Sequence, residues 1–127
     1  MKYIKKRQEN FFCLARHIYS ESKMYYPVRY DHIDTLSNFA VPVICRTQKI
    51  RDELVKRCEG IIEIRPIIGG DMMQQPFFKK YTKSLGKLPI NGNAKLIHDH
   101  GLYFGNNPEL TRGDIATIVK IFTQHIP

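Results

Sequence analysis

The chain has 127 residues, 43% hydrophobic and 25% charged, which are proportions typical of one globular domain with a single modest core. No apolar run approaches the roughly 20 residues of a membrane span, and the charged first ten residues exclude a secretory signal, so we expect a cytoplasmic protein. The net charge of +8 favours anionic ligands: nucleic acid, a membrane surface or phosphorylated small molecules.

Hydrophobic periodicity predicts a single domain, 1–127, of mixed α/β class, with a small three-stranded sheet covered on one face by helices. Residues 20–38 are polar and tyrosine-rich, which is typical of a connection. We expect the first two strands to pair in one sheet. In chain order, the predicted elements are a helix at 3–19, a strand at 39–45, a helix at 48–58, a strand at 61–68, short helices at 74–82 and 91–98, a strand at 102–105 and a helix at 111–124.

Local signals mark the ends of two of these helices. Thr47 is a predicted N-cap and Gly60 a predicted C-terminal stop of the second helix, while Thr111 and Asp114 predict a capping box on the last. Pro42 lacks a backbone donor and therefore predicts an edge position or a bulge in its strand. The last helix presents an apolar stripe at core spacing: Ile115, Ile118, Val119 and Phe122.

Few residues carry a recognisable catalytic pattern. Serine-hydrolase, P-loop and dinucleotide-binding motifs do not occur, and the pair His98 and His100 lacks a third ligand at suitable spacing, so no metal site is predicted. Cys13, Cys45 and Cys58 have no C-x-x-C spacing, so we expect reduced, buried thiols. The basic clusters are short and lack interleaved aromatics, which favours a solvated face over a nucleic-acid surface.

The segment Ile64–Phe78 is the most informative part of the chain. It joins an apolar run, an Arg-Pro step, a Gly-Gly turn and a Gln-Pro-aromatic step without a break. A core strand does not need the arginine, and a plain loop does not need two bulky aromatics. The pattern therefore predicts a strand that delivers a loop to a binding site.

The same segment resembles the Arg-Pro…Gly-Asn…Arg-Gln-Pro-aromatic stretch in the small domain of the sugar-nucleotide aminotransferase family (DegT/DnrJ/EryC1/StrS). Within that family it is most similar to the lipopolysaccharide dehydrase and perosamine-synthase branch. Further motifs resemble the family in the same order along the chain: 6–11, 39–44, 51–54, 88–89, 97–106 and 108–111.

The resemblance implies a fold like the small domain of fold-type I pyridoxal phosphate (PLP) enzymes and a role in nucleotide-sugar and lipopolysaccharide biosynthesis. In the family, PLP binds to a large domain whose motifs do not occur in this chain. The chain is therefore expected to hold no PLP and no catalytic residue, and to be inactive alone. With a PLP-carrying domain, the family transfers an amino group to a keto sugar nucleotide or, in the dehydrase branch, removes a sugar hydroxyl.

The resemblance also implies a set of substrate contacts. Arg65 is the candidate anion contact, although a surface salt bridge explains it equally well, and core packing is an equal alternative for Tyr103. Asp71 stands where the branch usually has Asn, and a carboxylate there would repel an anionic sugar nucleotide. The full set of predicted sugar-nucleotide contacts is Arg65, Gly70, Asp71, Gln75, Tyr103 and Asn106.

Three functional hypotheses follow: the small domain of an aminotransferase or dehydrase, a free-standing inactive module that binds a sugar nucleotide or a partner, and a basic nucleic-acid-binding domain. A neighbouring gene for the PLP domain would separate the first from the second, and salt-dependent binding to random nucleic acid would favour the third. We also expect self-association or binding to a PLP-carrying chain through the helix 3–19, with Phe11, Phe12 and Leu14 exposed on it.

Overall fold

The structure, a computed structural model, describes residues 1–67, 71–82 and 92–127. Within these ranges the chain has the mixed α/β fold predicted from its sequence, and none of the helices there is long and apolar enough to cross a bilayer. The elements are α1 (Lys2–Ile18), β1 (Tyr25–Tyr26), β2 (Ala40–Cys45), α2 (Gln48–Cys58), β3 (Ile64–Pro66), a 3-10 turn (Met72–Gln74), α3 (Pro76–Tyr81), α4 (Gly92–His100), β4 (Gly101–Gly105) and α5 (Arg112–Thr123).

The described strands form one antiparallel sheet in the order β1-β2-β4-β3. It has four strands where three were predicted, because Tyr25 and Tyr26 pair with Cys45 and Ile44. A two-residue strand is too short to leave a period in the sequence. Strand β4 lies between β2 and β3, so the first two predicted strands share the sheet without pairing directly. The predicted strand 61–68 is shorter than expected, and its last residue lies outside the described part.

The core lies between one face of the sheet and helices α1, α2 and α5. Strand β2 alternates, with Val41, Val43 and Cys45 buried, and the register sets Phe104 opposite Val41. Phe122 of α5 packs on Phe104 at 4.7 Å between ring centroids, and both are buried. Of the predicted stripe on α5, Ile118 and Phe122 are buried, and Ile115 and Val119 are half-buried against the core.

The apolar stripe of α1 faces inward, which corrects one expectation. Phe11 and Leu14 are 3% and 0% exposed, and only Phe12 lies on the surface. Leu14 and Ile18 fall three and seven residues after Phe11, so the three side chains share one face of the helix. That face packs into the same core as the sheet, and α1 therefore does not offer the exposed Phe11 and Leu14 that were expected to support self-association.

The three predicted helix boundaries are confirmed. The Thr47 side chain accepts a hydrogen bond from the amide of Ile50, and Gly60 follows α2 with φ +72°, which favours glycine. Thr111 and Asp114 form the capping box of α5. The hydroxyl and amide of Thr111, which donate to the Asp114 carboxylate, hold the pKa of Asp114 below its usual value.

The backbone around Pro42 explains how β2 tolerates a proline. The carbonyl of Pro42 accepts a hydrogen bond from the hydroxyl of Tyr19 at 2.8 Å. Strand β1 pairs only with Ile44 and Cys45, so it does not extend as far as Pro42. At this point β2 is therefore an edge, as predicted, and the missing N–H of the proline interrupts no ladder.

Candidate functional site

An apolar hollow of about 380 Å³ lies on the face of the sheet opposite the core. The register sets Pro42 opposite Tyr103 and Tyr103 opposite Arg65, so the three side chains point to this same face. Phe39 and Ile67 complete the wall beside the strands, and the segment 28–36 closes the far side. The predicted contacts Arg65 and Tyr103, distant in sequence, are thus brought side by side.

Two aromatic rings form the mouth of the hollow. Phe39 and Tyr103 meet edge to face, with 6.4 Å between centroids and 82° between planes. Phe39 is 72% exposed, whereas Tyr103 is half-buried. Exposure of a phenylalanine ring to water is unfavourable, and a flat ligand that covers the ring removes this cost.

Arg65 lies beside Tyr103 on the neighbouring strand and is exposed. Its Nε donates to the Glu63 carboxylate at 2.9 Å, and a second guanidinium nitrogen bonds to the same oxygen. Hydrogen bonds to Glu63 and then to Tyr103 raise the pKa of Arg65 above its usual value. The predicted surface salt bridge is therefore present. Exposed ion pairs of this kind are weak, so an incoming anion can displace Glu63.

Asp71 faces the interior of the protein. It is buried, and its carboxylate accepts hydrogen bonds from the Met73 amide at 3.0 Å and the Gln74 side-chain amide at 3.1 Å. Its own backbone N–H donates to Nδ1 of His98 at 3.2 Å. The acidic residue therefore serves as the N-cap of the 3-10 turn, which accounts for a carboxylate at a position where an anionic ligand was expected.

Two further predicted contacts lie in or near the same loop. Gln75 is half-buried between the 3-10 turn and α3, where its backbone N–H donates to the carbonyl of Met72 at 3.1 Å. Gly70 lies outside the described residues. Gln75 is not among the described residues that line the hollow beside Tyr103, and the role of both residues as sugar-nucleotide contacts stays a prediction.

Asn106 is a buried connector just beyond β4. Its backbone N–H donates to the carbonyl of Phe39 at 2.7 Å, and its side-chain nitrogen donates to the carbonyls of Arg7 at 2.9 Å and Asn38 at 3.1 Å. It is 1% exposed, and its Oδ1 has no hydrogen-bond partner within the described part of the chain. The structure thus gives Asn106 a positioning role, because it fixes Phe39 at the mouth of the hollow.

The residues that line the hollow do not fit PLP. The described lining includes neither a lysine that would form a Schiff base nor a carboxylate that would pair with the pyridinium nitrogen. Across residues 1–67, 71–82 and 92–127, no group of three or more His, Cys, Asp and Glu side chains comes together to hold a metal ion. The hollow offers an apolar floor, aromatic walls and the guanidinium of Arg29, and Arg65 lies next to it as the neighbour of Tyr103.

Sequence reasoning missed most of the walls of this hollow. Phe39 was assigned to the start of a strand, and Ile67 to the interior of another. One signal was present: Ala40, Pro42 and Ile44 alternate with the buried residues of β2 and are themselves apolar, so both faces of the strand are apolar. Only one of those faces was needed for the helix-covered core.

No protein-family model matches the chain, and a search of curated proteins finds no match. The hollow and the order of the sequence motifs are the two features that bear on function.

Proposed function

We propose that the chain is a sugar-nucleotide-binding small domain of the aminotransferase or dehydrase type, which acts together with a PLP-carrying domain. One observation carries the proposal: Arg65 lies beside Tyr103 in the sheet, and Tyr103 lines an apolar hollow with an exposed aromatic wall. The order of the sequence motifs supports the same reading. The proposed setting is the cytoplasm, in nucleotide-sugar metabolism.

The chemistry of the hollow suits the three parts of a sugar nucleotide. A guanidinium binds two phosphate oxygens at once, which suits Arg65 to the pyrophosphate. The Tyr103 hydroxyl can donate to a phosphate or a sugar oxygen, and the exposed ring of Phe39 offers a flat apolar surface to the base or sugar. The volume of about 380 Å³ lies within the range of about 300–1,000 Å³ typical of small-molecule sites.

Glu63 sets the condition for binding. It occupies the guanidinium of Arg65, and both side chains are largely exposed, at 75% and 57%. When the pyrophosphate binds, two of its oxygens replace the Glu63 carboxylate as acceptors at the Arg65 guanidinium. Because the hollow does not fit PLP, we assign to this chain the binding and orientation of the substrate and not the cofactor chemistry.

The test is an amide NMR titration of the whole chain with UDP-N-acetylglucosamine, GDP-mannose and dTDP-glucose. We expect saturable shifts at residues 39–41, 63–65, 67 and 101–104 with at least one of the three. Separate titrations with N-acetylglucosamine and inorganic pyrophosphate show how much of the affinity comes from the sugar and how much from the pyrophosphate. If none of the three sugar nucleotides binds, or if the shifts lie elsewhere, the proposal fails.

The two other hypotheses give different results in the same format. A free-standing inactive module binds the sugar nucleotide equally well but restores no activity when it is mixed with a PLP-carrying domain. A nucleic-acid-binding domain binds random RNA with an affinity that falls steeply as salt is raised, and its binding does not depend on the hollow.

A further inference from the structure

A second concave surface lies between two helices and shares no residue with the hollow. It is a groove of about 610 Å³ between α1 and α5. Its floor is mainly apolar and is formed by Cys13 of α1 and by Ile115, Ala116 and Val119 of α5. Ala116 and Cys13 are exposed, and the other two side chains are half-buried.

The two helices that form this groove run in the same direction. The side-chain nitrogen of Asn10 donates to the carbonyl of Asn107, just ahead of α5. At the far ends, the Tyr25 hydroxyl, seven residues beyond α1, donates to the carbonyl of Phe122. The lining residues at the start of α1 therefore face those at the start of α5, and the later ones face each other in the same order.

Basic side chains stand at both ends of the groove. Lys6 and Arg112 flank one end, and His17 and Lys120 flank the other. His17 follows Lys6 by eleven positions, which corresponds to roughly 16 Å of helix. Within the described residues, no ion pair joins Lys6, Arg112 or Lys120 to a carboxylate. Glu9 is the one acidic residue of the lining, so the groove carries an uncompensated positive charge.

The size of the groove favours a small ligand over a protein partner. Its volume lies in the range of small-molecule sites. Ten residues line it, whereas a stable protein interface needs about 20–30 residues on each side. A second copy of the chain is also a poor occupant, because its own groove has the same positive sign.

We propose that this groove binds a small anionic amphiphile, with a single apolar chain on the floor and a carboxylate or phosphate group between Lys6 and Arg112. That end is assigned because lysine and arginine both keep their charge at neutral pH, and arginine binds oxyanions bidentately. At the other end, Nδ1–H of His17 already donates to the carbonyl of Cys13 at 2.7 Å. The inference does not depend on the sugar-nucleotide proposal, since the groove and the hollow share no residue.

The experiment uses ten-carbon probes below their micellar concentrations: decanoate, decyl phosphate, neutral decanol and decyltrimethylammonium. Amide NMR titrations of the whole chain should show saturable shifts at residues 9–17 and 112–120 with the two anions. Decanoate and decyl phosphate distinguish a carboxylate ligand from a phosphate ligand. We expect decanol to bind at least tenfold more weakly, and the cationic probe not to bind.

Two variants locate the site. Lys6→Ala with Arg112→Ala should weaken decanoate binding at least tenfold, whereas the matched pair Lys23→Ala with Lys49→Ala, which removes two charges elsewhere, should not. Ala116→Trp fills the floor at an exposed position and should block decanoate and decanol alike.

The thiol of Cys13 gives an independent readout, because a chain lying on the floor should slow its alkylation. The proposal is overturned if decanoate does not saturate, if decanol binds as tightly, or if the shifts fall in the hollow.

Discussion

Replacement of Phe122 by alanine tests how α5 is attached to the sheet. The side chain is fully buried, and its ring packs on Phe104 at 4.7 Å and beside Tyr25 at 6.5 Å. Removing a buried phenylalanine ring costs roughly 3–5 kcal/mol, from lost burial and from the cavity that remains. At about 2.1 cal/mol/K of unfolding entropy per residue, a chain of 127 residues then loses roughly 11–19 °C in Tm.

The assay is urea unfolding followed by far-UV circular dichroism, with thermal unfolding as a second measure. Phe77→Ala is the matched control, because Phe77 of α3 is 50% exposed and should lose less than about 1 kcal/mol. The hydrogen bond from the Tyr25 hydroxyl reaches the backbone carbonyl of residue 122, so it survives the substitution. A loss below about 1 kcal/mol for Phe122→Ala, or equal losses in the two variants, would refute this packing.

Four further predictions concern the packing, the thiols and the missing cofactor groups. Gly101→Ala should cost about 1–3 kcal/mol, since its Cβ would overlap a backbone carbonyl in the last turn of α4, whereas Gly113→Ala should not destabilise in urea unfolding. Iodoacetamide should label Cys13 alone in the native protein, because burial raises the pKa of Cys45 to about 12 and of Cys58 to about 11; labelling of all three would contradict their burial. Because the folded protein keeps these two thiols protonated, stability is unaffected by them below about pH 9, the ordinary thiol pKa. As the pH rises from 9 toward 11–12, the unfolded thiols ionise first, so the Tm should fall. Addition of PLP should give no stoichiometric aldimine absorbance, and a borohydride-trapped adduct at one lysine would contradict this.

The helical layer could be predicted because its signals are local. The stripes on α1 and α5 repeat with the helical period, and Thr47, Gly60 and Thr111 mark boundaries through their own side chains and backbone. Strand β1 could not be predicted, since two residues carry no period. The exposure expected for Phe11 and Leu14 was wrong because it assumed a missing partner, whereas the chain's own sheet covers them.

The orientation of polar side chains could not be read from the sequence. Asn106 bonds to the carbonyls of Arg7 and Asn38, which lie 99 and 68 residues away. Asp71 turns inward because the amides of the following 3-10 turn need an acceptor. By contrast, Arg65 and Tyr103 were both singled out from motifs, and only the pairing of β3 with β4 shows that they are neighbours.

The affinity of the chain for a sugar nucleotide, measured with and without Arg65, tests the central claim most directly. Isothermal titration with the best-binding sugar nucleotide should show at least a tenfold loss of affinity for Arg65→Ala, because the pyrophosphate loses its bidentate donor. Arg16→Ala, which removes an exposed arginine of α1 outside the hollow, should bind as the unchanged chain does. Equal affinities for the two variants, or no binding by the unchanged chain, would contradict the account.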